Sequence, residues 1–274
     1  MTILITGATG TVSTAVLRSL SNKQDLRVLV RDPSKAPSDV EVVVGDLDQP
    51  KTLVEAFRGV ETLWLLTAMG PQAPHASMNA VWAAREAGVN HVVRMSAIGA
   101  GHDAPTRNGR LHALSDNELK ASGLEWTIVK PAFFMQNLFG SVNGDTMYGM
   151  LGGEGRVGLI DVRDIGDFGA AVLTDPKAHA GRTYTITGPE SISLHTAAAS
   201  LGASYQPVSE QAAFDAMIGA GMREWDAAVS LEYGRAYSAG WGDYTTPDFA
   251  EVVGRPARSF AEFAKDHESS LRAS

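Results

Sequence analysis

Short runs of branched aliphatic residues, separated by stretches of helical length, constrain this chain more than any single motif. The runs fall at residues 3–6, 26–30, 40–44, 62–66, 91–95 and 126–129. Several are apolar throughout, as expected of strands buried on both faces. Between them lie helical stretches at 10–20, 50–57, 73–87 and 111–122. Val81, Ala84, Ala87 and Gly88 have the three-to-four spacing of one buried helix face. Strand–helix–strand repetition of this kind predicts an α/β fold built on a doubly wound parallel sheet with right-handed crossovers.

The alternation stops near residue 135. Helical stretches at 162–173, 194–201, 210–218 and 224–237 then alternate with short strands at 182–186 and 204–207. The expected organisation is a first domain over 1–150, with 156–187 contributing to it. A smaller, mainly helical lobe over 188–274 would cap the sheet. In open α/β sheets ligands bind beyond the carboxyl ends of the strands, so a cap there closes a pocket.

Composition narrows the chemistry. The absence of cysteine excludes disulfides, thiolate metal sites and a thiol nucleophile. A net charge of -8 without a basic block argues against binding nucleic acid. No apolar run approaches a membrane span, and Met1-Thr2 lead straight into a strand with no basic, signal-like segment. The expected setting is cytoplasmic. The histidines at 75, 102 and 179 have no carboxylates at ligand spacing, so no metal site is expected.

The first strand runs into Gly7-Ala8-Thr9-Gly10-Thr11-Val12-Ser13 and then an apolar helix. Gly7 permits the turn and Gly10 lets the backbone approach a pyrophosphate on the free N–H groups of the helix N-terminus. Ser13 stands where a third glycine is usual. The expected dinucleotide contacts are Gly7, Thr9, Gly10, Thr11 and Val12. At the tip of the second strand Arg31 replaces the acidic residue that would hold a ribose 2′-hydroxyl, and a guanidinium suits a 2′-phosphate. With Lys35 nearby, NADP is favoured, with NAD the second choice. Asp46 and Leu47 follow the third strand, where Asp46 reads equally as an adenine acceptor and as a turn residue. Thr67, Ala68 and Met69 end the fourth strand as a wall near the nicotinamide ribose.

These segments resemble the NmrA-like, atypical short-chain dehydrogenase/reductase family, including its quinone and triphenylmethane reductase members. The resemblance covers Val30-Arg31-Asp32, Gly45-Asp46-Leu47, Ala87-Gly88-Val89, residues 122–127 with Lys130-Pro131, and Phe134-Met135-Gln136-Asn137. It continues through Asp161-Val162-Arg163-Asp164-Ile165 and Gly254-Arg255-Pro256. It implies a Rossmann-type fold and a nicotinamide cofactor.

Ordinary members of the wider group carry a Tyr-x-x-x-Lys helix. Here that helix reads His112-Ala113-Leu114-Ser115-Asp116, and the resemblance puts His112 at the tyrosine and Asp116 at the lysine. They are spaced i, i+4 on one face, so Asp116 is expected to orient the imidazole and raise its pKa for proton donation. The alternative is a polar face that only hydrogen-bonds substrate or cofactor. Ser96 after the fifth strand and Lys130 on the sixth join the cofactor set, with a strand-end turn and a structural ion pair as their respective alternatives. Phe133, Phe134, Met135 and Tyr148 form the expected substrate-binding set, although aromatic clusters are more often plain core. Asn137 reads as a tie for irregular backbone, and Asp161 as a helix cap. Gly144, Gly149, Gly152, Gly153 and Gly155 suggest a flexible loop at the pocket mouth.

The expected activity is NADPH-dependent hydride transfer to a quinone or similar conjugated aromatic acceptor. The alternative is a redox sensor that holds NADP(H) without turnover. A nucleotide-sugar epimerase or dehydratase fits poorly, because the tyrosine–lysine pair is missing. Apolar surface on the later helices is compatible with a homodimer.

Overall fold

The computed structural model describes residues 1–20, 25–152 and 154–272. Its first six strands are β1 (Ile3–Ile5), β2 (Leu26–Val30), β3 (Glu41–Val44), β4 (Thr62–Leu65), β5 (His91–Met95) and β6 (Glu125–Pro131). Helices α1 (Thr11–Ser19), α2 (Leu53–Ala56), α3 (Ala73–Ala87) and α4 (Arg107–Ala121) alternate with them. Beyond β6 come β7 (Val142–Asn143), β8 (Thr146–Gly149), β9 (Arg156–Val157) and α5 (Val162–Thr174). Strands β10 (Arg182–Ile186), β11 (Ile192–Ser193) and β12 (Ser204–Pro207) follow, with α6 (Leu194–Ala199) between the last two. The chain closes with α7 (Glu210–Gly219), α8 (Glu224–Ser238), α9 (Asp248–Val253), α10 (Phe260–Asp266) and α11 (Glu268–Leu271).

The main sheet has seven strands in the order β10-β6-β5-β4-β1-β2-β3, and every pairing is parallel. The order reverses between β1 and β4. That is the topological switch point, and the crevice beyond the carboxyl ends of these strands is where such a sheet receives a ligand. Alternate residues face opposite sides. Ile3, Ile5, Trp64, Val93 and Val129 pack on one side with Val12 and Val16 of α1 and Phe168 of α5. Leu4, Leu63, Leu65, Val92 and Ile128 pack on the other with α2 and α3. Burial of this kind, at roughly 25 cal/mol per Å² of apolar surface, dominates the stability of the sheet.

The division into lobes departs from the sequence reading at residues 142–149 and not at 182–186. Residues 182–186 extend the main sheet as its seventh strand. Residues 142–149 leave the first domain and form a three-stranded sheet with 204–207. The chain also returns late to the first core, where Phe249 and Ala257 pack with Phe168. The glycine-rich stretch is not a free loop. Gly149 ends β8, and the Gly152 N–H donates to Ser238 Oγ at 2.7 Å. A Cβ on Gly155 would meet the Tyr237 carbonyl oxygen at 2.8 Å. Gly153 lies outside the described residues. Gly152 and Gly155 thus pack against α8, Gly149 against Tyr205 and Leu194, and Gly144 makes a turn with φ of +58°.

Candidate cofactor and acceptor site

The phosphate loop leaves β1 through Gly7, whose φ of +63° lies in the left-handed region that favours glycine. Gly10 is the N-cap of α1, and a Cβ there would meet the Gly7 carbonyl oxygen at 3.2 Å. No side chain caps α1, as is also true of α2, α3, α8, α9 and α11. The first turn of α1 therefore offers backbone N–H groups beside a loop in which Gly7 and Gly10 carry no side chain, which suits a pyrophosphate. Thr9 and Thr11 are exposed and Val12 is buried in the core beneath them. Ser13 is fully buried; its hydroxyl donates to the Thr6 carbonyl at 2.8 Å and accepts the Trp64 indole N–H at 3.2 Å. A hydroxyl clasp thus takes the place of the usual third glycine.

Arg31 and Lys35 are exposed at the tip of β2. Between them Asp32 accepts from the Ser34 N–H at 3.0 Å and the Ser34 hydroxyl at 2.7 Å, capping the turn Pro33–Lys35. Asp46 accepts the Asp48 N–H at 3.1 Å, the turn geometry that was the alternative reading of this residue. Leu47 is half-buried, Thr67 is half-buried, and Ala68 and Met69 are exposed. The Met69 carbonyl accepts from Arg223 at 2.9 Å, so the loop after β4 is tied to the segment entering α8.

A charged network sits behind the ends of β5 and β6. Asp116 on α4 is 2% exposed. Its Oδ1 accepts from Arg94 Nη1 at 2.6 Å, and its Oδ2 accepts from Ser96 Oγ at 2.9 Å and faces Lys130 Nζ at 3.4 Å. Arg94, 1% exposed on β5, also lies 3.5 Å from Ser77 Oγ and places Nη2 3.3 Å from His112 Nδ1. Lys130 donates to the Ala100 carbonyl at 2.8 Å. Ser96 and Lys130 thus find protein partners in this network, and Lys130 forms the ion pair that was its alternative.

This geometry corrects the expected histidine–carboxylate dyad. His112 and Asp116 share a helix face, but both Asp116 oxygens are engaged by Arg94, Ser96 and Lys130. Burial, with the cationic charges of Arg94 and Lys130, lowers the His112 pKa to about 3 rather than raising it. The residue missed in the sequence was Arg94. Its signal was a lone cation within the otherwise buried strand 91–95, which requires a partner.

Among the expected substrate contacts, Phe133 is half-buried and meets Tyr237 edge-to-face at 5.6 Å. Phe134 is half-buried against the first core, and Tyr148 is exposed on β8. Met135 is 1% exposed within the second core, which removes it from a pocket wall. The sequence reading also missed Tyr233 and Trp241. Tyr233 stacks on Tyr237 at 5.9 Å and accepts from Asn108 of α4 at 3.1 Å, four residues before His112. Trp241 lies 5.5 Å from Tyr237 and packs onto Gly99. An aromatic wall therefore stands beside α4.

The family motifs elsewhere are structural. Asp161 caps α5 by accepting the Arg163 N–H at 2.8 Å, and Gln136 donates to it at 2.8 Å. Gln136, rather than the exposed Asn137, ties down the irregular backbone here, because it also accepts the Val162 N–H at 3.0 Å. Asp164 accepts from Arg255 and Arg258, joining α5 to the late Gly254-Arg255-Pro256 turn. Among the described residues no three metal-ligating side chains converge, and no helix is long and apolar enough to cross a membrane.

A switch-point crevice with a glycine-bearing, uncapped helix entry defines a dinucleotide-binding protein of the doubly wound class. The family described as NAD(P)H-binding matches residues 7–176. The NAD(P)H azoreductase of Xenophilus azovorans is 38% identical over 99% of both chains. The chain belongs to this NAD(P)H-binding family. The fold matches triphenylmethane reductase of Citrobacter sp. complexed with NADP(H), at a TM-score of 0.87 with 23% identity, covering 97% of this chain and 99% of the other. It also matches an NADPH-dependent quinone oxidoreductase from Escherichia coli complexed with NADPH, at 0.85 with 23% identity, covering 96% and 99%.

Proposed function

We propose that this protein is an NADPH-preferring reductase that passes a hydride to a quinone or a similarly conjugated aromatic acceptor. The nicotinamide supplies the hydride when bound. Backbone N–H groups of residues 7–12 would hold the pyrophosphate, Arg31 and Lys35 the 2′-phosphate, and Asp46 and Leu47 the adenine end. The observation that carries the reading is the pairing of a polar network behind His112 with an aromatic wall of Phe133, Tyr233 and Trp241 at the same end of the sheet. A flat conjugated acceptor suits such a wall, because offset and edge-to-face ring contacts each contribute about 0.5–1.5 kcal/mol beyond burial. The azo, triarylmethane and quinone acceptors in the names of the relatives are all of this kind. Water is able to protonate the oxygen or nitrogen of such an acceptor, so proximity and orientation supply most of the catalysis.

The engagement of both Asp116 oxygens by Arg94, Ser96 and Lys130, which leaves no histidine–carboxylate dyad, is what a second reading rests on. The chain would then bind NADP(H) as a redox sensor without turnover. Following NADPH absorbance against a panel of quinones and azo dyes separates the two. The reductase gives acceptor-dependent loss. Tight NADPH binding with no consumption across the panel selects the sensor.

A further inference from the structure

We infer that Arg94 is a positioning residue that fixes the tautomer of His112, so that the imidazole serves as a neutral Nε2–H hydrogen-bond donor to the acceptor and not as a proton donor. This rests on the reductase reading for its chemical purpose, but its structural content stands independently.

Arginine has only donors and stays protonated, so the 3.3 Å contact between Arg94 Nη2 and His112 Nδ1 requires Nδ1 to accept. A neutral ring with a bare Nδ1 carries its proton on Nε2. Protonating Nδ1 would set two donors against each other beside a buried cation, and no carboxylate oxygen is in place to receive the new N–H. Asp116 is one helical turn away, but Arg94, Ser96 and Lys130 occupy it.

The groups around the imidazole agree with this. Arg94 faces it from β5, Lys130 lies on β6, and Asp116 is on its own helix. From α8, Glu232 is bonded to Arg107 at 2.6 Å and Tyr233 to Asn108 at 3.1 Å. Glu118, also on α4, offsets part of the Arg94 charge, but only Arg94 and Lys130 act on the ring itself, so the surroundings disfavour a third positive charge. Burial acts in the same direction.

A buried arginine on a central strand is costly and needs a full set of partners. Arg94 finds Ser77, Asp116 and His112, on helices α3 and α4. One of those three partners is the side chain at the position of the ordinary proton donor. A neutral imidazole that gave up its Nε2 proton would become an imidazolate, which this site has no means to hold. His112 therefore polarises the acceptor oxygen or nitrogen through a hydrogen bond as hydride arrives, and the proton that completes the reduction comes from water. That division adds one hydride and one proton to the acceptor and leaves His112 unchanged.

Nitrogen-15 NMR of histidine-labelled protein tests this without requiring turnover, with His112→Gln used to assign the signal. The expected wild-type spectrum shows a bare Nδ1 and a protonated Nε2, unchanged from about pH 8 to about pH 5, below the ordinary histidine value near 6.5. In Arg94→Met the ring should titrate nearer that ordinary value. A wild-type His112 that titrates near pH 6.5, or that carries its proton on Nδ1, overturns the assignment. If Arg94→Met does not fold, the wild-type spectrum still decides. For turnover, His112→Gln, whose amide is still able to donate, should retain at least about tenfold more kcat than His112→Ala, at similar KM. Equal loss in both counts against the donor role. Absence of turnover with every acceptor would sink the reductase reading and leave the tautomer result standing.

Discussion

The indole N–H of Trp64 donates to Ser13 Oγ across 3.2 Å, joining the middle of β4 to the first turn of α1 beneath the phosphate loop. The same oxygen donates to the Thr6 carbonyl at 2.8 Å. Ser13→Ala removes both bonds and strands a buried indole donor, an expected cost of about 1–3 kcal/mol by chemical denaturation. Ser13→Gly should fare no better, although it restores the familiar glycine spacing. If glycine matched wild-type stability, small size and not the clasp would be what the position requires.

Arg31 is exposed at the tip of β2, and the proposed function gives it the 2′-phosphate. Arg31→Ala should weaken NADPH binding by about tenfold or more, the scale of one charge-assisted hydrogen bond, and leave NADH binding nearly unchanged. Lys35, 4.0 Å from Asp32 and largely exposed, should contribute less. Titration calorimetry with both cofactors reads the ratio directly, and equal losses would remove Arg31 from the phosphate.

Much of this was legible in the sequence because local rules dominate it. Strand β1 is apolar throughout and the other early strands mostly so, and their helices have a buried stripe, so period and composition gave the sheet to within a residue or two. Gly7 and Gly10 had one sensible use between a strand and a helix. The departure of 142–149 from the first domain was not legible, because its glycines read as a loop and only its pairing with 204–207 makes it a strand of the second sheet. The site failed in the same way. The i, i+4 spacing put His112 and Asp116 on one face, but spacing is silent about Arg94, which arrives from β5 and takes the carboxylate. Tyr233 and Trp241 come from the least distinctive stretch of the chain.

Gly99 has φ of +59°, and a Cβ there would fall 2.2 Å from Trp241 Cζ2. Gly99→Ala therefore strains the backbone and displaces the indole, at an expected cost of about 1–3 kcal/mol. Because Trp241 belongs to the aromatic wall, its fluorescence should shift in the folded variant. KM for aromatic acceptors should rise more than KM for NADPH. Equal changes in both would place Trp241 outside the acceptor pocket.

His91 gives the fold a pH dependence of calculable sign. Its Nε2 lies 2.9 Å from Thr127 Oγ1, and that hydroxyl gives its own proton to the His179 carbonyl at 2.8 Å. The Thr127 oxygen therefore accepts, and His91 is the neutral Nε2–H tautomer. Burial first, and the nearby His179 second, lower its pKa to about 4 from an ordinary 6.5. A depressed histidine pKa means that the unfolded chain binds the proton more readily, so stability is full above pH 6.5 and falls as pH drops toward 4. The whole shift corresponds to about 3 kcal/mol, most of it lost between those two values. His112 acts in the same direction and extends the fall to lower pH. His91→Gln keeps an N–H for Thr127 and removes the titrating ring. Urea denaturation of the two proteins from about pH 7 to about pH 5 should show the variant falling less steeply, by roughly one proton's slope. Parallel curves would mean that His91 is already protonated in the folded protein.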